Sequence, residues 1–133
     1  RSGSKLESRD LREAAKAMLT RGRGSIFFTG ATASLRGGNG FAAFAGAKHA
    51  LRALAQSMAR ELGPKGIHVA QIMVDGAIDT EFIRENFPQR YALKGQEGIV
   101  DPEAIAESYW QLHRQPRNAW THELDLRPWI ESW

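Results

Sequence analysis

The chain has 133 residues, with 18 Lys and Arg against 15 Asp and Glu and a formal net charge of +3. That length supports one domain with a real core, and positive charge scattered everywhere but at Arg21 and Arg23 suits a solvated surface rather than a nucleic-acid site. The absence of Cys excludes disulfides, thiol nucleophiles and a Cys-ligated zinc; no apolar run approaches the roughly 20 residues that cross a bilayer, and no signal-like stretch is present, so the cytoplasm is the default compartment.

Residues 1–6, opening Arg1-Ser2-Gly3-Ser4, read as a tag or disordered linker without a role in the fold. Residues 7–133 read as one domain. Leu11, Ala14, Ala15, Met18 and Leu19 recur at helical spacing and predict a helix over 7–20, ended by Arg21-Gly22-Arg23-Gly24. The continuous apolar run at 25–29 predicts a strand buried on both faces. Residues 30–40, rich in Gly and small residues, read as a loop. A long helix follows over 41–62, with Phe44, Leu51, Leu54, Ala55, Met58 and Leu62 as its apolar stripe. Arg52, Gln56, Arg60 and Glu61 fall mostly away from that stripe. Small residues from Ala42 to Ala53 leave its first half smooth enough for close approach of another backbone.

Gly63-Pro64 stops the helix, and the β-branched run 67–74 predicts a second strand. Residues 80–87 read as a short helix ended by Pro88, and 91–100 as loop. Asp101-Pro102-Glu103 is a helix start, with Asp as N-cap and Pro at the first helical position. Ala104, Ile105, Ser108, Tyr109 and Leu112 give this helix a buried side, and Gln115-Pro116 ends it. Residues 121–127 alternate as a half-exposed strand does. Helix and strand thus alternate three times, which argues for a parallel sheet with helices on both faces.

Most isolated chemistry-bearing residues have a plain structural reading. His49, His68, His113 and His122 lack metal-ligand spacing and read as surface or satisfied histidines. Glu103 and Glu107, four apart on one helix, read as a solvated face. Trp110, Trp120, Trp129 and Trp133 read as core packing or a docked tail, with a ligand site or subunit interface as the other option. Thr29-Gly30-Ala31-Thr32-Ala33-Ser34 follows a strand, but the later glycines of a dinucleotide fingerprint fall on Ser34 and Arg36. Gly22-x-Gly24 precedes a strand instead of following one.

One larger pattern remains. A strand at Ile26-Phe27-Phe28-Thr29 is followed by Phe44-Ala45-Gly46-Ala47-Lys48 opening a long helix, then Gly66-Ile67-His68-Val69, then the turn Asp75-Gly76-Ala77-Ile78-Asp79-Thr80. In order and spacing this resembles the catalytic segment of the short-chain dehydrogenase/reductase (SDR) family. The match is good over 13–82 and looser over 101–127. The resemblance implies a partial Rossmann-like, doubly wound parallel α/β sheet of about three strands, equivalent to the last three of the family's seven. The chain then corresponds to the C-terminal half of such a domain.

The resemblance also implies NAD(P)-dependent hydride transfer to or from a carbonyl or alcohol. Lys48 matches the Lys that contacts the nicotinamide ribose, and Ile78 and Thr80 match contacts to the carboxamide end of the cofactor. Thr80 has the rival reading of a helix cap. Phe44 stands at the catalytic Tyr position and Ala31 near the catalytic Ser, and neither has a hydroxyl. Thr32 and Ser34 are neighbours that substitute only after a register shift. Asp75 replaces the usual Pro. The Gly-rich dinucleotide motif is not found in the chain. The chain alone is therefore expected to be inactive, with little or no affinity for NAD or NADP. A homo-oligomer through the helices at 7–20 and 41–62 is expected, with strand pairing at 26–28 as a further contact. The alternative is a non-catalytic scaffold or homo-oligomerisation module.

Overall fold

In the computed structural model the backbone is described over residues 2–31 and 40–132, and side chains over 9–31 and 45–132. The elements are α1 (Ser2–Arg21), β1 (Gly24–Ala31), α2 (Gly40–Leu62), β2 (Ile67–Val74), α3 (Glu81–Asn86), α4 (Pro88–Tyr91), α5 (Pro102–Arg114) and β3 (Glu123–Leu126). The strands form one parallel sheet in the order β1-β2-β3. Helices cover both faces, so the expected partial doubly wound α/β architecture is the one observed.

Local chemistry sets the ends of these elements. At the C-terminus of α1, Arg23 N–H donates to the Met18 carbonyl and Gly22 N–H to that of Leu19, both at 3.2 Å. This is a Schellman closure, and it requires the left-handed backbone that Gly22 adopts at φ 68°. The helix begins at Ser2, several residues before the apolar periodicity predicts. A helix once nucleated extends through polar residues whose own propensity does not announce it. Asp101 caps α5 as expected, its Oδ1 accepting from Glu103 N–H at 3.1 Å with Pro102 at the first turn.

β2 lies between the other strands, and all eight of its residues are buried. Toward α5 its side chains join Ala70, Ile72 and Val74 to Val100 and Leu112, with Phe27, Tyr109, Leu124 and Leu126 packed around them. Toward α1 and α2, Ile67 and Val69 join Ile26 and Leu62, with Leu11, Met18, Phe28 and Met58 around them. A smaller cluster of Ala77, Ile83 and Ile99 packs the segment after β2.

Several expectations need correction. β1 is not buried on both faces: Ile26 alone is fully buried and Thr29 is exposed, because β1 pairs only with β2 among the described residues. Leu54 is 47% exposed, since the stripe that meets the sheet is the narrower set Leu51, Ala55, Met58 and Leu62. Ala104 is exposed too, so the buried side of α5 begins at Ile105. Pro88 ends α3 but also opens α4, where its missing N–H costs no helical bond. Residues 91–100 hold a 3-10 turn at Ala92–Gln96 and a parallel bridge from Val100 to Ile78. Trp110 and Trp129 stand in solvent, 54% and 76% exposed, so neither is core. Trp129 does dock the tail, donating from Nε1 to the Gln96 carbonyl at 3.1 Å. Trp133 lies outside the described residues.

Candidate functional site at the carboxyl edge of the sheet

Open parallel sheets bind ligands in the crevice outside the carboxyl ends of their strands. Here that edge is made by Ala31, Val74 and Leu126, the last residues of β1, β2 and β3. The described site residues expected from the sequence all fall on or just beyond it. Ala31 ends β1 with its methyl packed against the core under α5, and it has no proton to give. Lys48, in the first half of α2, places Nζ 4.0 Å from Asp125 Oδ2 in β3, with 35% of its side chain exposed.

Ile78 follows β2 by four residues. Its bridge to Val100 is closed by Asp79 N–H on the Val100 carbonyl at 2.9 Å and by Val100 N–H on the Ala77 carbonyl at 2.7 Å. Strand geometry therefore turns the N–H and C=O of Ile78 itself to the opposite side. Thr80 is the N-cap of α3, its hydroxyl oxygen accepting from Ile83 N–H at 3.3 Å. That cap uses a lone pair and leaves the hydroxyl proton able to donate. Phe44 belongs to α2 one turn before Lys48, but its side chain, like Thr32 and Ser34 entirely, lies outside the described residues.

The sequence reading did not single out the partners of Lys48. One turn further along α2, Arg52 forks onto Glu123 of β3, with Nε to Oε1 at 2.6 Å and Nη2 to Oε2 at 3.0 Å. Gln71 of β2 adds a hydrogen bond from Nε2 to Glu123 Oε1 at 2.8 Å. Arg127 lies 3.3 Å from both Asp75 and Asp125. Lys48, Asp125, Arg127 and Asp75 thus alternate in sign along one side of the sheet. The Arg52 fork holds the Glu123 carboxyl below the usual carboxylate range against the opposing effect of burial, and the same fork raises Arg52. The signal was present in the strand at 121–127. Its alternation puts Glu123, Asp125 and Arg127 on one face, and Asp75 sits where the resembled family has Pro.

This edge therefore offers a positioned cation, a backbone amide and a hydroxyl donor. Among the described residues no group of three His, Asp or Glu is placed to hold a metal. Nor is any helix among them long and apolar enough to cross a membrane. Each of three histidines makes one contact, His68 to the Thr121 carbonyl, His122 to the Val69 carbonyl and His113 to the Ser25 hydroxyl. The buried His68 Nδ1 and His122 Nε2 have no hydrogen-bond partner among the described residues, so these two are only half-satisfied.

The short chain dehydrogenase family model matches residues 10–91, from within α1 to the end of α4. A solved short-chain dehydrogenase from Rhodopseudomonas palustris is 52% identical, with a TM-score of 0.58, and the match covers 89% of this chain and 44% of that one. A 4-hydroxyisoleucine dehydrogenase complexed with NADH is 25% identical, with a TM-score of 0.65, covering 92% of this chain and 54% of that one. A serine dehydrogenase complexed with NADP+ shares the fold at 20% identity and a TM-score of 0.69, covering 92% and 51%. The chain spans about half the length of these structures. With most of its length matched, including Ala31, Lys48, Ile78 and Thr80, the chain belongs to the short-chain dehydrogenase family.

Proposed function

We propose that the chain forms the nicotinamide-side half of an NAD(P)-dependent oxidoreductase that moves hydride between the cofactor and a carbonyl or alcohol. The observation that supports this reading is that Lys48 reaches Asp125 of β3 while Ile78 and the Thr80 hydroxyl follow the carboxyl end of β2. These residue types fit the group: Lys48 would orient the nicotinamide ribose, and Ile78 and Thr80 would hold the carboxamide. When bound, the dinucleotide supplies or accepts the hydride. The protein's part is to position the ring and to move one proton at the substrate oxygen. Phe44 and Ala31 have no hydroxyl for that proton, so an ordinary Tyr-Ser donor pair is not available at these positions.

The 133-residue polypeptide by itself is accordingly expected to oxidise no simple alcohol. Phe44→Tyr alone is expected not to restore turnover, because the Gly-rich dinucleotide motif that receives a pyrophosphate is not found in this sequence. NADH and NADPH fluorescence titrations test the reading. A dissociation constant well above micromolar, weakened further by Lys48→Ala, is expected. Sub-micromolar affinity, or robust cofactor-dependent alcohol oxidation by the unmodified chain, overturns the account of what these residues retain.

Assembly is the second part of the proposal. α2 exposes Leu54 with Gly46, Ala47, Ala50 and Ala53, a surface that permits close helix packing, and α1 exposes Leu19 in its last turn. A two-fold homodimer through these helices is expected in sedimentation at micromolar concentration, and a stable monomer would count against it. The missing hydroxyls at Phe44 and Ala31 also favour a scaffold role. A dimer whose NADH titration is flat would decide for that alternative.

A further inference from the structure

The opposite end of the sheet, at the amino edge, holds a cleft of about 490 Å³. Its walls come from three turns: the one after α1, the one after α2 and the one between α5 and β3. Arg21, Arg23 and Arg117 border it, together with Ser25, His113 and Trp120. Neither Asp nor Glu lines it. Among the described residues none of the three arginines has a carboxylate within ion-pair distance.

The cleft has a fixed frame. Arg117 donates from Nη2 to the Gly22 carbonyl at 2.9 Å, joining the first and third turns. Gly66, at φ 94°, makes room for this contact, since a Cβ there would collide with the Gly22 carbonyl and press on the Arg117 guanidinium. The remaining donors of Arg117 are uncommitted by that single bond. Ser25 Oγ and His113 Nδ1 lie 2.8 Å apart. His68, 2% exposed, also lines the cleft, its ring stacked on Trp120 with centroids 4.8 Å apart and planes 3° apart. Its Nε2 must donate to the Thr121 carbonyl at 2.6 Å. Its Nδ1 is buried and has no hydrogen-bond partner among the described residues.

We propose that this cleft binds a small phosphate-bearing ligand. Three guanidinium groups without a countercharge call for a dianion, and planar forks match the oxygens of a phosphate. The volume exceeds what inorganic phosphate needs and suits an organic phosphomonoester, with Trp120 as an aromatic wall. The site is independent of the nicotinamide crevice. β1 alone, from Gly24 at the cleft to Ala31 at the crevice, spans roughly 23 Å of extended chain.

Calorimetric titration of the 133-residue chain with sodium phosphate and with phenyl phosphate tests the proposal. Saturable binding with a dissociation constant on the order of 1 mM or tighter is expected for at least one of them. Tighter binding of the ester assigns an organic phosphate, and equal binding assigns the inorganic ion. Arg21→Ala and Arg23→Ala should each weaken binding about tenfold. Neither side chain is ion-paired among the described residues, and both are exposed, so both variants should keep the wild-type circular dichroism. Arg23→Lys should recover part of the loss, and Lys48→Ala should leave phosphate affinity unchanged. No saturation at tens of millimolar, unchanged affinity in both Arg→Ala variants, or loss of binding in Lys48→Ala would overturn the assignment.

Discussion

Toward α5, β2 presents Ala70, Ile72 and Val74 to Leu112, Val100, Leu124 and Leu126; toward α2 it presents Ile67 and Val69, then Gln71 and Met73, and the next residue on that side is Asp75. The first face is apolar along most of its length. The second changes character half-way. Near the amino edge it packs on Met58 and Leu62, and near the carboxyl edge it meets Lys48, Arg52, Glu123, Asp125 and Arg127. The difference teaches that one continuous strand serves two tasks. The apolar face and the amino half of the other hold the sheet together. The carboxyl half of the α2 face exchanges apolar burial for paired charges beside the candidate crevice.

This division is open to measurement. Ile72 is fully buried at the centre of the apolar face, so Ile72→Ala should have the largest effect, about 2–5 kcal/mol in urea unfolding. A loss below about 1 kcal/mol would show that the α5 face is not the main support. Tyr109→Phe comes next. It removes a 2.5 Å hydroxyl pair with Thr29 from the rim of the same face, and should cost about 1 kcal/mol or less.

Glu123→Gln should have the smallest effect at neutral pH, because its ion pair with Arg52 is largely exposed to solvent. It should instead change the pH profile. Glu123 is lowered in the folded chain below its ordinary 4.5, so the stability it contributes is present above that value. That contribution is lost as pH falls through the lower, folded value. Glu123→Gln should therefore flatten the decline in urea midpoint between neutral and acid pH, while Ile72→Ala should shift the midpoint at both. Parallel acid profiles for Glu123→Gln and the wild type would break the comparison.

The sequence made legible what depends on neighbours in the chain. The β-branched run of β2, the Asp101-Pro102 start of α5 and the glycine closure after α1 all announce themselves within a few residues. The spacing of Lys48, Ile78 and Thr80 is equally local, and the role proposed for them rests on the family resemblance. What escaped depends on distant partners. Leu54 has the hydrophobicity of a core residue, and only the angle at which α2 meets the sheet leaves it in solvent. Residues 91–100 look irregular because the bridge of Ile78 to Val100 is set by a fold-back that no local period encodes. Lys48 was recognisable, but Asp125, Arg127 and Asp75 become its surroundings only once β3 lies beside β2. Arg21 and Arg23 stood out as a pair, whereas Arg117 reaches them only through the third turn.

The stacking of Trp120 on His68 gives the molecule an optical reporter of its own. Trp120 is half-buried against the His68 ring, so it should emit to the blue of an indole in water while the stack is closed. Trp110 and Trp129 stand in water and should emit at the red end of the tryptophan range. Lifting the indole from the imidazole into the cleft should move that bluer component toward the red background. Motion at the amino edge can then be followed in the unmodified chain by the colour of its emission.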